Sequence, residues 1–146
     1  MMSITDWLSR WWHSLGFGIQ SPWAYSLVTD VIAEKLPYYD YERIDREYKS
    51  SQERRRQKLF LRLKNRFPHC RFYDTDDLLQ TDGKPACNML TDSVFVLIGI
   101  RKSEDAFRLW LSLRDSDGVG VTFDLYDLAL CFPEEGRYKQ HYKLKY

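Results

Sequence analysis

Apolar positions recur at helical spacing through the first half of the chain, and the pattern changes near Pro68 to short apolar runs and strict alternation. The first spacing predicts amphipathic helices and the second predicts strands. Ser3 followed by Asp6 makes a capping-box-like start, after which Ile4, Leu8, Trp11, Trp12 and Leu15 form one apolar stripe that ends at Gly16 and Gly18. Ser21 and Pro22 are an N-cap and first-turn pair, because proline's missing N–H costs nothing there. Ala24, Leu27, Val28, Val31 and Ile32 then give a broad buried face on a helix expected to run to about Lys35, before Pro37. Tyr38-Tyr39-Asp40-Tyr41-Glu42 suits neither helix nor strand and is expected to cross the core with its rings covering one side. A third helix, 51–67, should bury Leu59, Phe60, Leu63 and Phe67 and stop before Pro68.

Beyond that point the pattern is α/β. Arg71 to Asp74 is a short strand, followed by a polar stretch to Lys84 with a helical turn at Asp76 to Leu79. Val94 to Ile100 is a continuous apolar run, as expected of an interior strand covered on both faces. Ser103 caps a helix with Glu104 and Asp105 in its first turn, where they complement the helix dipole, and with Ala106, Leu109, Trp110 and Leu113 on its inner face. Val119 to Leu125 and Leu128 to Phe132 are two further strands. Alternation from Tyr138 to Tyr146 predicts a half-exposed last one.

Length and charge narrow the partners. The 146 residues fit one domain, 1–146, with a helical part at 1–68 and an α/β part at 69–146. A net charge of +1 argues against nucleic acid as a whole-surface partner. Cys70, Cys87 and Cys131 are odd in number and lie in no metal-ligand spacing, which favours reduced thiols and a cytoplasmic location. No signal peptide is visible, and Val94 to Ile98 is too short an apolar run to span a membrane.

Several constellations carry chemistry in principle. Asp74, Asp76, Asp77 and Asp82 lack calcium-loop spacing and read as a solvated loop. Gly118-Val119-Gly120 reads as a turn into a strand. His13, His69 and His141 stand in no catalytic context. The one basic concentration, Arg54, Arg55, Arg56, Lys58, Arg62, Lys64 and Arg66, reads first as a solvated helix face and second as a patch for RNA or an acidic partner. On the first helix, Trp7, Leu8, Trp11, Trp12 and Leu15 either pack on their own domain or form an interface, for a homodimer or another protein. Membrane attachment is disfavoured, since Arg10 and His13 are the helix's only basic side chains.

Two stretches carry a family resemblance. Gly16-Phe17-Gly18-Ile19-Gln20-Ser21-Pro22-Trp23-Ala24-Tyr25, with Leu27 to Ile32, Tyr38-Tyr39 and Glu42, resembles the N-terminal helical cap of prokaryotic class I S-adenosylmethionine-dependent methyltransferases of O-methyltransferase type. That group often has a histidine where this chain has Gln20. Asp92 to Ile100, Trp110, Val121 to Leu128 and Lys139 to Tyr142 are similar to the group's fifth strand, following helix and closing strands. The resemblance implies a cofactor held on a glycine-rich turn after the first strand and by an acidic residue ending the second. The segment from Phe67 to Leu78 reads as helix end, strand and turn, and contains no glycine; Tyr73-Asp74-Thr75-Asp76 stands where the turn would be. The 76 residues from Arg71 to Tyr146 hold only about two βαβ units of about 30 residues or more.

The expected fold is therefore α/β: an N-terminal helical cap followed by a reduced Rossmann-like sheet, parallel at its centre with antiparallel closing strands. The expected function is a methyltransferase-like, non-catalytic interaction or scaffold protein that needs no cofactor. Two alternatives stay open. One is an active methyltransferase that binds S-adenosylmethionine once a partner chain completes the site. The other is a small nucleic-acid-binding module using the basic helix 51–67. No catalytic, cofactor-binding or metal-binding residue is transferred.

Overall fold

The computed structural model describes residues 2–16, 18–81, 93–133 and 139–146. These divide into two compact units, one formed by residues up to Pro68 together with Lys145 and Tyr146, the other by His69–Leu144.

The first unit is helical. α1 (Ile4–Ser14) starts where the Ser3 hydroxyl accepts from the Asp6 N–H and ends two residues before Gly16, whose φ of 89° suits glycine and where a side chain would run into the Tyr25 ring. α2 (Pro22–Leu27) is capped by Ser21 and tightens no further: it widens into a π-helical turn over Val28–Ile32, so the helical path stops short of Lys35. Ala24, Leu27, Val28, Val31 and Ile32 are buried, as their spacing requires. The segment expected to cross as a loop contains part of a helix, α3 (Tyr41–Glu47). It has one buried anchor, Ile44, and two i,i+4 pairs, Arg43 with Glu47 and Arg46 with Glu42. A single apolar anchor leaves no periodic signal to read. Tyr39 is fully exposed, so its ring covers no core. α4 (Ser51–Arg66), capped by Ser50, buries Leu59 and Leu63 and also Arg62.

The second unit is α/β. β1 (Arg71–Asp74) runs straight into α5 (Thr75–Gln80), and the loop expected between them is absent: Asp74 is the last strand residue and also the helix N-cap. β2 (Phe95–Ile98), α6 (Glu104–Arg114), β3 (Val119–Asp124), β4 (Leu128–Pro133) and β5 (Gln140–Lys143) follow. Among the described residues the five strands form one open sheet in the order β1-β2-β4-β3-β5. β1 with β2 and β3 with β5 pair parallel, while β4 pairs antiparallel to both β2 and β3. The mixed α/β class is thus the one expected, with one detail corrected. The reversal belongs to β4, which occupies the middle of the sheet, and the closing edge strand β5 is parallel to its neighbour. The cause is the tight hairpin at Leu125–Asp127, which folds β4 back between two strands that α6 has made parallel.

β3 and β4 are buried along their whole length. Trp110 and Leu113 of α6 and Leu78 of α5 pack with Phe95, Leu97, Ala129 and Cys131. Burial pushes the Cys131 thiol well above its ordinary pKa, so it stands as a small core residue. No described helix is long and apolar enough to cross a membrane.

Candidate functional site

In an α/β sheet, ligand sites form at the C-terminal ends of parallel strands. Here those ends carry Asp74, Gly99, Arg101, Lys102 and Asp124. Buried Asp124 accepts from both Arg101 guanidinium nitrogens, at 2.9 and 2.6 Å, and from the Tyr126 backbone N–H at 2.8 Å. Arg101 also donates to the Tyr126 carbonyl at 2.6 Å and lies against the rings of Phe107 and Tyr126. Tyr126 itself takes a φ of 78°, an uncommon conformation for a non-glycine residue, which this ion pair holds in place. Lys102 reaches Asp74 at 2.8 Å and Asp76 at 3.2 Å, and its hydrogen bond to Asp74 raises its pKa above 10.5 against a smaller opposing effect of burial. Thr75 donates to the Gly99 carbonyl at 3.0 Å. Each polar group named here is met by another from the same chain, so the strand ends are tied together by their own side chains.

The aspartates read as a solvated loop separate accordingly. Asp74 and Asp76 hold Lys102, Asp77 lies in the first turn of α5, and Asp82 falls outside the described residues, as does Cys87. Among the described residues no group of His, Cys, Asp or Glu is placed to hold a metal ion. His141 hydrogen bonds Thr122 at 2.9 Å and lies beside Trp110.

The first unit is built differently. On α1 the apolar stripe points outward: Trp7, Leu8, Trp11, Trp12 and Leu15 are between 38 and 52% exposed. The one buried residue of this helix is Arg10, 1% exposed and paired with Asp6 at 2.9 Å. Trp11 and Leu15 continue into a cleft of about 1090 Å³. Its other walls are the 32–39 segment with Lys35, Tyr38 and Tyr39, α3 with Tyr41 and Asp45, α4 with Arg55, Lys58 and Arg62, and finally Lys145 and Tyr146.

Arg62 makes this cleft. Buried, it donates from Nε to the Val31 carbonyl at 2.6 Å, from Nη2 to the Ile32 carbonyl at 3.1 Å and from Nη1 to the Tyr41 hydroxyl at 2.8 Å. The carbonyls left open where the π-helical turn stops are thereby satisfied, and the start of α3 is fastened to α4. The basic concentration of α4 is consequently dispersed. Arg62 is structural, Arg54 and Lys58 meet Asp45 at 3.8 and 2.7 Å, and Arg56 meets Glu53 at 3.0 Å. Lys64 and Arg66 are exposed near the helix end, away from the residues lining the cleft, and Arg55 enters the cleft with no ion pair among the described residues.

No protein-family model, curated protein or solved structure matches this chain.

The chain's own geometry is therefore what bears on function. The cleft combines rings and cations in the helical unit, and the part of this site that periodicity misses is α3 and the 33–40 segment. The cluster of tyrosines from Tyr38 to Tyr41 was the available signal: rings that serve no helix or strand face are free to line a groove.

Proposed function

We propose that this protein is a methyltransferase-like, non-catalytic interaction module that docks other proteins through the exposed apolar face of α1. One observation carries the reading: α1 buries an arginine and exposes three tryptophans and two leucines. Water-exposed apolar side chains gathered on one face are characteristic of interaction surfaces, and tryptophan contributes disproportionately at interface centres. The direct passage from β1 into α5 supports the non-catalytic half of the reading, because side chains of Asp74 and Lys102 meet where a backbone turn would have to cradle a nucleotide-type cofactor.

The test has two arms. Replacing Trp7 and Trp11 together with Glu should leave the thermal melt close to wild type, since both rings are already partly in water, Trp7 at 38% and Trp11 at 42%; a clear fall in melting temperature would mean that the stripe belongs to the chain's own core. Isothermal titration of the isolated chain with S-adenosylmethionine should give no heat of binding. Micromolar affinity at one site per chain would defeat the non-catalytic reading.

A further inference from the structure

We infer that the cleft beside α1 receives an acidic, apolar-anchored segment of a protein partner; this deepens the interaction-module reading and rests on it. The charge of the lining points to the sign of the occupant. Three side-chain carboxylates, Glu34, Glu42 and Asp45, line the cleft against five cations, Lys35, Arg55, Lys58, Arg62 and Lys145. Glu34 accepts from the backbone N–H groups of Lys35 and Leu36, Glu42 pairs with Arg46, and Asp45 holds Lys58 and Arg54. Lys35 and Arg55 also line it, and neither forms an ion pair among the described residues. The positive charge left uncompensated there is what a carboxylate-bearing segment would complement.

The apolar part of the lining points to the occupant's class. The cleft is continuous with aliphatic as well as aromatic surface through Trp11 and Leu15, and Leu8 on the same helix and Leu36 next to the cleft are exposed too. A single-stranded nucleic acid uses rings and cations but gains little from leucines. A peptide with apolar residues at helical spacing uses both kinds of surface. The volume of about 1090 Å³ also lies just above the range of small-ligand pockets, which are about 300–1,000 Å³, and suits a run of side chains.

The experiment is selection of a random peptide library on the immobilised full chain, followed by titration of the enriched peptides by fluorescence anisotropy. The enriched set should carry net negative charge with apolar residues three or four positions apart. Lys35→Glu with Arg55→Glu should weaken these peptides by roughly tenfold or more, and rising salt should weaken them as well. Both positions are exposed, so the double variant should melt like wild type. Three results overturn the inference: no enrichment over a blank surface, an enriched set that is neutral or basic, or affinities unmoved by the double variant. A peptide lost on Trp12→Glu and unmoved by Lys35→Glu with Arg55→Glu would sink the cleft proposal while leaving α1 as a docking face, because Trp12 lies on that face outside the cleft. A labelled 20-nucleotide oligouridine that binds where the peptides do not, with loss on the same double variant, would assign the cleft to nucleic acid instead.

Discussion

The two units of this chain spend their apolar residues in opposite ways. In the α/β unit Leu79 is the sole exposed large hydrophobic residue among those described, whereas the helical unit exposes Trp7, Leu8, Trp11, Trp12, Leu36 and Tyr39 among others. Buried charge differs in kind as well. The α/β unit buries Asp124 to fix a hairpin, and the helical unit buries Arg62 to fix a helix end and Arg10 against Asp6 within α1. The contrast separates the residues that make the fold from those offered to something else: the sheet is built for burial, and the helices are built around a groove and a face.

The largest effect should come from the sheet unit. Trp110, 1% exposed at the centre of the α6 contact, should cost about 3–5 kcal/mol when replaced by Ala, the usual range for a truncated buried aromatic. Chemical denaturation showing less than about 1 kcal/mol would break the contrast at its strongest point. Next is Arg101→Met, which leaves the Asp124 carboxylate buried without its counter-ion and should cost about 3 kcal/mol. Adding Asp124→Leu should recover part of that loss, and a double variant worse than the single one would mean that the pair is not what holds the hairpin.

On α1 the usual order of importance should be inverted. Arg10→Ala should cost about 1–2 kcal/mol through lost packing and the lost Asp6 contact, while Trp12→Ala should stay within about 0.5 kcal/mol. If urea melts gave the larger loss for Trp12, the outward orientation of the stripe would be wrong. The smallest effect concerns pH. Lys102 has a raised pKa in the folded state, so its contribution is fully present below its unfolded value, about 10.5, and is lost as pH rises through the folded value. Lys102→Met should therefore lower stability slightly at pH 7, have less effect at pH 11 and so flatten the alkaline end of the stability profile, with the size kept small by solvent exposure. An equal effect of the variant at pH 7 and at pH 11 would show that the side chain contributes packing and not charge.

Features that depend on a few neighbouring residues were legible without the structure. Ser3, Ser21 and Ser103 each cap the helix assigned to them, because an N-cap is a contact over three residues. The strands from β2 to β4 fall on the segments read as apolar runs, β1 falls on the segment read as a short strand, and Trp110 is buried on the face its spacing gave it. The candidate site was legible only in pieces. The tryptophan stripe, the basic helix and the tyrosine cluster were each visible as patterns, but their meeting in one cleft depends on Arg62 reaching carbonyls about 30 positions earlier. α3 escaped notice because Ile44 alone anchors it.

What the amino-acid order determined by itself is which residues share a face, since helical and strand periods are properties of the local backbone. Which face turns inward is not local. The period of α1 groups its tryptophans and leucines just as it would for a buried helix, and only the packing of the helical unit around Arg10 leaves them in water. Strand direction follows the same division: apolar runs marked the strands, and the hairpin at Leu125–Asp127 decided that β4 would lie reversed in the middle of the sheet, because pairing partners are chosen by chain connection and closure over distances that no local pattern records.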